Sequence, residues 1–340
     1  MRNGRIAEGK SSILRSLLIV GLLEISIILT QGQGTVTSRM ALSEGRPLSQ
    51  PAARDDSRDV IYSHTNLVSV TVTVTDRSGQ AIAGLRKEDF KVYDDKVEQP
   101  ISYFSDEDSP ASIGIVFDTS GSMSGSAFRH AREALTHFIQ TSHPKDEYVL
   151  IGFNSTPQLL LDRTRDGTAV LNKFTYAQPH GATALYDGVY LGVEKLFQAT
   201  YPKQAIILIS DGEENNSRYG FGKLRQTLDE SGVIVYTVRI GTPPAPMSVS
   251  WPIMEPLASI SGGKHFCPTS SEQMAEAFEQ IALDLRRQYS IAFLPANFVA
   301  NGKRHKIKVA FTAPREQTRG MVIRHRDAYY AGGRFKVQQD

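Results

Sequence analysis

The sequence predicts an α/β fold in which a doubly wound, mostly parallel sheet carries a β-rich accessory unit built from the segments on either side. Three observations predict it. Short, nearly continuous apolar runs such as 113–117 and 206–209 have the length and composition of strands that are covered on both faces. From residue 111 to about 290, these runs alternate with segments whose apolar residues recur at helical spacing. Both flanks instead alternate apolar and polar residues, which indicates half-buried strands.

The chain contains 340 residues, which is enough for about two domains. Its hydrophobic content of 40% is ordinary for a globular protein, and its formal net charge is only +2. A nearly balanced charge creates no overall field that attracts nucleic acid, so we expect no nucleic-acid partner. The single cysteine, Cys267, excludes an intramolecular disulfide and a cysteine-based metal cluster. We expect Cys267 to be a small buried side chain near a strand end.

The N-terminal region is first basic and then strongly apolar. Residues 1–16 carry four basic side chains, and residues 17–29 form an apolar core that Glu24 interrupts. This order predicts a signal peptide or membrane anchor over residues 1–30, and therefore an exported protein that is periplasmic, on the cell surface or secreted. An uncleaved anchor would tether the chain to a membrane, although an acidic side chain at bilayer depth is costly. Residues 31–63 are polar and are predicted to be a linker.

The first flanking segment, residues 64–106, is predicted to be β-rich and sandwich-like. Valines alternate with polar residues between positions 68 and 75, which is the period of a half-buried strand. Further short strands are expected after it. Four acidic residues of this segment allow two interpretations, a Ca²⁺ site or solvated carboxylates of turns. They are Glu88, Asp89, Asp94 and Asp95.

The C-terminal segment, residues 289–332, returns to strand character. Two stretches within it alternate apolar and polar side chains, and Asn301-Gly302 lies between them. Because this dipeptide is typical of hairpin turns, we expect the two strands to form a hairpin and to join the first flanking segment in one accessory unit. The basic run 303–308 is either a contact for a polyanion or the solvated face of an edge strand. Residues 333–340 are predicted to be a tail.

Closely spaced oxygen-bearing side chains follow the first apolar run of the central region. Asp118, Ser120 and Ser122 lie two positions apart, so they point the same way from an extended loop. Ligands of open α/β sheets bind at the carboxyl ends of strands, where this loop lies. Thr183, before a predicted helix, and Asp211, at the end of another apolar run, offer further oxygens. Because Mg²⁺ prefers oxygen ligands, the sequence predicts a magnesium site outside the hydrophobic core.

The order Asp-x-Ser-x-Ser, then a distant Thr, then a distant Asp followed by Gly, resembles the metal-ion-dependent adhesion site of the von Willebrand factor type A domain, whose fold is Rossmann-like. The resemblance implies that Mg²⁺, or Mn²⁺, is held directly by Ser120, Ser122 and Thr183. It implies that Asp118 and Asp211 act through water, and that an Asp or Glu of a partner protein completes the coordination sphere. A cell-adhesion module of this kind is a protein-binding module and not an enzyme.

The resemblance extends beyond the metal motif. It implies a type A domain over residues 111–288, and the flanks are similar to a VWFA-related family first described in Acidobacteria. The similar segments are residues 74–79, 85–90, 103–105 and 324–331. Four residues in loops beside the metal motif are expected to shape the surface that a partner contacts. They are Met123, Gly125, His180 and Glu213.

Three other interpretations remain open. The acidic and serine side chains after the first run could simply cap the following helix and turn. The type A region could be a metal-independent scaffold for the assembly of an envelope complex. The segment 121–125 also fits the Gly-x-Ser-x-Gly pattern of serine hydrolases, with Ser124 as nucleophile and Asp211 and His265 as its partners. That pattern requires the strand to end at the serine, whereas the apolar run ends near Asp118.

Overall fold

The computed structural model describes residues 66–123, 126–175, 180–241, 253–314 and 316–332. The predictions of a signal peptide or anchor, a linker and a C-terminal tail concern residues outside these ranges. Each helix in the described ranges is too short or too polar to cross a lipid bilayer.

The secondary structure is numbered in chain order. The strands are β1 (Val68–Thr75), β2 (Phe90–Asp94), β3 (Val97–Gln99), β4 (Ile101–Ser105), β5 (Ser112–Asp118), β6 (Glu147–Phe153), β7 (Pro157–Thr164), β8 (Gln204–Ser210), β9 (Ile234–Arg239), β10 (His265–Phe266), β11 (Tyr289–Phe293), β12 (Arg304–Phe311), β13 (Val322–Arg324) and β14 (Ala328–Tyr330). The helices are α1 (Ser126–Thr141), α2 (Gly167–Thr175), α3 (Leu185–Phe197), α4 (Phe221–Ser231), α5 (Met254–Ser261) and α6 (Ser271–Arg286). Single 3₁₀ turns lie at Lys87–Asp89 and Gly121–Met123.

The central sheet has six strands in the order β10-β9-β8-β5-β6-β7. All its pairs are parallel except β6 with β7, which forms an antiparallel edge. Every residue of β5 is buried, as expected for a strand with neighbours on both sides and helices on both faces. The carboxyl ends of β5, β6, β8 and β9 therefore meet at one edge of the sheet.

The helices cover both faces of this sheet, so it is doubly wound. One core contains apolar side chains of α1, α2 and α6 packed on β5, β8 and β9, including Phe138, Phe174 and Phe278. The opposite core contains those of α3, α4 and α5, including Val189, Leu228 and Leu257. The predicted fold class is confirmed.

The flanking strands form two further four-stranded sheets, in the orders β13-β1-β11-β4 and β14-β12-β2-β3. They enclose a third core of valine, isoleucine and aromatic side chains from both ends of the described chain. The prediction that the N- and C-terminal β segments join in one accessory unit is confirmed. Within each pair of neighbouring strands the direction is antiparallel.

The predicted hairpin through Asn301-Gly302 is wrong. Strand β11 pairs with β1 and β4, whereas β12 pairs with β2 and β14 in the other sheet. The connection crosses from one sheet to the other, and the amide of Gly302 donates to the carbonyl of Ala331. The dipeptide makes a local turn, but the partners of each strand are set by burial in the third core.

Buried ion pairs connect the accessory unit to helices of the central region. Arg304 of β12 contacts Asp229 of α4, with 2.7 Å between Nε and Oδ2. Arg324 of β13 pairs with Asp284 of α6, whose side chain is fully buried. In addition, the guanidinium of Arg326 donates to the carbonyls of Asp229 and Ser69. The two parts of the described chain are thus joined by charged contacts as well as by chain connectivity.

The expected burial of Cys267 is wrong, because its side chain is exposed just after the short strand β10. Its sulfur lies 2.9 Å from Nε2 of His265. A strand of only two residues is too short to bury the residue that follows it.

Candidate metal site

Asp118 ends the central strand β5 and is fully buried. Its Oδ2 accepts a 2.7 Å hydrogen bond from the hydroxyl of Ser210, and its Oδ1 accepts a 2.8 Å bond from the amide of Ser120. The expectation that the site lies outside the core is therefore wrong for Asp118. One predicted ligand at this edge of the sheet is therefore shielded from solvent.

Burial raises the pKa of Asp118 to about 6, although the hydrogen bonds from Ser120 and Ser210 oppose the rise. The negative charge of Asp211 adds a smaller upward contribution. The donors that hold Asp118 are a neutral amide and a neutral hydroxyl. A cation placed beside this carboxylate would offset the cost of burying its charge.

Ser120 and Ser122 lie in and beside the 3₁₀ turn that follows β5. Their hydroxyl oxygens are 3.2 Å apart, as the spacing of two residues predicts. Ser120 is buried and Ser122 is exposed, so the pair leads from the buried carboxylate to the surface. The carbonyl of Ser120 also accepts a hydrogen bond from the amide of Met123. This backbone bond closes the 3₁₀ turn.

The loop that carries Thr183 is hydrogen-bonded to the serine loop through backbone groups. The amide of Gly121 donates to the carbonyl of Gly181 at 3.3 Å, and the amide of His180 donates to the carbonyl of Thr119 at 2.8 Å. Gly181 has a φ of +82°, and a Cβ atom there would lie 2.7 Å from the hydroxyl of Ser155. Glycine is thus required for this close approach.

Thr183 is buried immediately before α3, and its backbone is fixed by Asn215. The amide of Thr183 donates to Oδ1 of Asn215 at 2.9 Å, while its carbonyl accepts the amides of Asn215 and Asn216, both at 3.0 Å. These bonds join the Thr183 loop to the segment that follows Asp211. Two of the predicted ligand loops are therefore held together by backbone and amide contacts.

Asp211 directly follows β8, the sheet neighbour of β5, so the two predicted carboxylates come from adjacent strand ends. Oδ1 of Asp211 accepts the amide of Glu213 at 3.0 Å. Farther along, Glu214 accepts the amide of Tyr186 and thereby caps the first turn of α3. The segment after Asp211 thus forms hydrogen bonds to the N-terminal turn of α3.

Sequence reasoning missed Ser210, Asn215 and Glu214, which position the predicted ligands. The signal that could have found them is the polar run 213–217 directly after an apolar strand. Polar side chains in such a run, at the edge of the sheet where the site lies, can accept hydrogen bonds from the amides of nearby loops and helix ends. Ser210 gave no comparable signal, because its role depends on the neighbouring strand.

The predicted contact residues have different outcomes. Met123 is buried in the core that α1, α2 and α6 form with the central sheet. It therefore cannot line a partner surface, and that prediction is wrong. His180 and Glu213 are exposed beside the site, and Nε2 of His180 lies 3.1 Å from Nδ2 of Asn154. Gly125 lies outside the described residues.

The serine-hydrolase alternative requires His265 to bridge a serine and Asp211. Instead, Nδ1 of His265 lies 2.7 Å from the hydroxyl of Thr237, and Nε2 lies 2.9 Å from the sulfur of Cys267. Both ring nitrogens thus contact other groups. Ser124 itself lies outside the described residues.

The residues present fit a hard divalent cation. Asp118, Ser120, Ser122, Thr183 and Asp211 offer only oxygen ligands, which Mg²⁺ and Mn²⁺ accept. Among them, a buried carboxylate with a raised pKa supplies the charge that a cation would stabilise. The exposure of Ser122 gives this group of oxygens an opening to solvent.

Residues 113–214 match the family model of the von Willebrand factor type A domain. Inter-alpha-trypsin inhibitor heavy chain 4 of Mus musculus is 26% identical over 235 residues, which cover 62% of this chain and 24% of that protein. The chain thus spans about a quarter of the length of this relative. A solved von Willebrand factor type A structure from Catenulispora acidiphila is 13% identical with a TM-score of 0.46, and covers 77% of this chain and 72% of that one. The von Willebrand domain of a type V pilus tip protein from Porphyromonas gingivalis is 15% identical with a TM-score of 0.43, and covers 51% and 94% of the two chains.

Proposed function

Because this chain carries a von Willebrand factor type A domain, we propose that it is an exported, non-enzymatic protein-binding module with a metal-ion-dependent adhesion site. The site captures an Asp or Glu carboxylate of a partner protein through Mg²⁺, or Mn²⁺. The observation that carries the proposal is the line of oxygens from buried Asp118 through Ser120 to exposed Ser122 at the end of the central strand.

The residues have separate roles in this proposal. Ser120, Ser122 and Thr183 hold the cation directly, and Asp118 and Asp211 hold it through water. Both oxygens of Asp118 already accept protein hydrogen bonds, which supports a role as a fixed acceptor for bound water. The Gly121–Gly181 backbone bond keeps the serine and threonine loops in register with each other.

A cation in this setting supplies positive charge that an incoming carboxylate can complete. Three neutral hydroxyl ligands leave more of the charge of the ion available than three carboxylates would. The exposed side chains of His180 and Glu213 border the opening and select among approaching partners by charge and shape. The export of the chain rests on the basic and apolar order of residues 1–30.

Thermal unfolding in Mg²⁺, Mn²⁺ or excess chelator tests the metal site. A ligand at about 100 times its Kd stabilises the native state by about 2.7 kcal/mol, so the wild type should melt higher with metal. Ser122→Ala should lose this rise, because it removes an exposed hydroxyl ligand and little packing. Ser78→Ala is the matched control, because Ser78 is also exposed and its hydroxyl also makes a side-chain hydrogen bond, to the carboxylate of Asp76.

Peptide binding separates the adhesion module from the metal-independent scaffold. Peptides with a central Asp should bind the immobilised protein in Mg²⁺, and matched peptides with Asn should not. Chelator and Ser122→Ala should both abolish the binding. Peptide capture that is equal with metal and with chelator would replace the adhesion proposal by the scaffold.

A further inference from the structure

The turn between β2 and β3 in the accessory unit brings two carboxylates and one imidazole together. Nδ1 of His305 lies 3.4 Å from Oδ1 of Asp94 and 3.1 Å from Oδ2 of Asp95. The three ligand atoms all lie within 4.8 Å of one another. Strand β12, which carries His305, pairs with β2, and this pairing brings the three side chains together.

One oxygen of this group is buried without a hydrogen bond. Asp94 is only 8% exposed, and its Oδ1 has no hydrogen-bond partner among the described residues. Its Oδ2 accepts a 3.0 Å bond from the hydroxyl of Tyr329. An unsatisfied buried acceptor costs about 1–3 kcal/mol, and more when it is charged. Nδ1 of His305 lies 3.4 Å from Oδ1 without a hydrogen bond to it, so a ligand placed between these two atoms would satisfy both.

The groups around the cluster hold the three ligand atoms in place. The hydroxyl of Tyr329 donates to Oδ2 of Asp94, and this bond leaves Oδ1 for another contact. The ring of Tyr329 stacks on the imidazole of His305, with 5.2 Å between the centroids. The amide of Lys306 donates to Oδ1 of Asp95 at 2.9 Å, which turns Oδ2 toward His305.

We propose that Asp94, Asp95 and His305 form a second metal site, and that it binds Zn²⁺. Zinc takes nitrogen and oxygen ligands at about 2.0–2.2 Å, so neighbouring ligands in a tetrahedral sphere lie roughly 3.3–3.5 Å apart. The 3.1 and 3.4 Å separations are close to this spacing. The imidazole ligand favours zinc over Ca²⁺ or Mg²⁺, which take oxygen.

The site supplies three protein ligands and has an exposed side. Asp95 has 53% of its side chain exposed, whereas Asp94 has 10% and His305 22%. Water can therefore reach the fourth position of a tetrahedral ion from the side of Asp95. The bound ion fastens the β2–β3 turn to β12 and, through Tyr329, to β14. The site belongs to the accessory unit and is independent of the proposed adhesion site.

Calorimetric titration with Zn²⁺ in excess Mg²⁺ tests the proposal on the whole chain, since Mg²⁺ occupies an oxygen-only site. The wild type should bind Zn²⁺ saturably. Asp95→Asn and His305→Ala should weaken binding by more than about 100-fold, because even residues behind metal ligands typically contribute about 10- to 100-fold. His137→Ala, which removes an exposed histidine of α1, should leave the titration unchanged.

Asp95→Asn keeps the result interpretable if His305→Ala destabilises the sheet, since Asn retains the oxygen that bonds the amide of Lys306. Substitution by Co²⁺ gives a second readout, because a tetrahedral site should show strong visible absorption that both variants lose. Equal Zn²⁺ affinity in the wild type and the two variants would overturn the proposal. So would the absence of saturable binding in the wild type, which would leave the group as a contact between His305 and its two carboxylates.

Discussion

The hydroxyl of Ser210 donates a 2.7 Å hydrogen bond to Oδ2 of Asp118, and this bond links the carboxyl ends of strands β8 and β5 inside the protein. Ser210 is itself fully buried, so its hydroxyl has a fixed partner rather than solvent. In the proposed adhesion site, Ser210 orients a carboxylate that acts through water. It is a positioning residue and not a metal ligand.

Ser210→Ala should therefore weaken Mg²⁺ binding by about 10- to 100-fold, the usual effect of losing a partner behind a metal ligand. Metal titration followed by calorimetry measures this change. Ser112→Ala is the matched control, because Ser112 also donates from a buried hydroxyl to a carboxylate, that of Glu147, at the opposite end of β5. Both variants should lose stability, and only Ser210→Ala should lose metal affinity. An equal metal affinity in both variants would contradict this role.

Gly181→Ala should lower both stability and metal affinity. Its φ of +82° disfavours any residue with a Cβ atom, and the new methyl group would lie 2.7 Å from the hydroxyl of Ser155. The left-handed conformation alone costs about 1–2 kcal/mol for a non-glycine residue. Because the carbonyl of Gly181 holds the serine loop, relief of the clash should also displace Thr183.

Thermal unfolding with and without Mg²⁺ measures both effects of the Gly181 substitution. Gly222→Ala is the control, because Gly222 lies in α4 with open space where its Cβ would be. That change should raise stability by about 0.5–1 kcal/mol and leave the metal effect intact. A Gly181→Ala protein with the full metal-dependent rise in melting temperature would show that the loop contact is not needed.

The fold was predictable where the composition of a short segment alone indicates whether the segment is buried. The apolar runs of β5 and β8 are strands that must be buried on both faces, and the residues after them must lie at one edge of the sheet. Helix α5 has no comparable signal in the sequence, since Pro256 lies near its start and proline is typical of helix breaks. It is tolerated there since the first turn of a helix leaves its amides unbonded.

The sequence predicts which residues offer ligand oxygens at the site, but not which residues hold those ligands in position. Ser120 and Ser122 do converge, but they do so through the 3₁₀ turn at Gly121–Met123 and not through the extended loop that the spacing predicts. Asn215 and Ser210 could not be assigned from the sequence, since each acts on a residue in a different loop or strand. Met123 was misplaced because the 3₁₀ turn rotates its side chain into the core, which spacing alone does not reveal.

Glu147 makes stability depend on pH. Burial raises the pKa of Glu147, but hydrogen bonds from Ser112 and Thr200 outweigh burial, so the pKa lies below its ordinary value of 4.5. A carboxyl whose folded pKa is depressed stabilises the protein above its unfolded pKa, and the contribution is lost as the pH falls through the folded pKa. Stability should therefore fall below about pH 4.5, within the acid range where Glu147 becomes protonated.

Glu147→Gln tests this assignment by removing the charge at nearly constant shape. Urea unfolding at pH 7 should show a loss of about 1–3 kcal/mol, because hydrogen bonds to the charged group are weakened. The difference from the wild type should shrink as the pH is lowered below 4.5. Glu98→Gln is the control, since Glu98 is an exposed acid in an ion pair with Lys91. A difference that stays constant with pH would place the effect in packing rather than in charge.

The Arg324–Asp284 pair should contribute to stability only as a pair. Asp284 is fully buried on α6, and Arg324 of β13 has 15% of its side chain exposed. Arg324→Met leaves a buried carboxylate without its cation and should cost about 3–5 kcal/mol in urea unfolding. Combining Arg324→Met with Asp284→Leu should recover most of this loss, because a buried ion pair can be replaced by apolar side chains at little cost. The control is Arg286→Met, because Arg286 also lies on α6 and its exposed ion pair with Asp108, in the loop before β5, should contribute less than about 1 kcal/mol. A double variant no more stable than Arg324→Met would show that the bonds of Arg324, and not the unpaired charge of Asp284, hold α6 to the accessory unit.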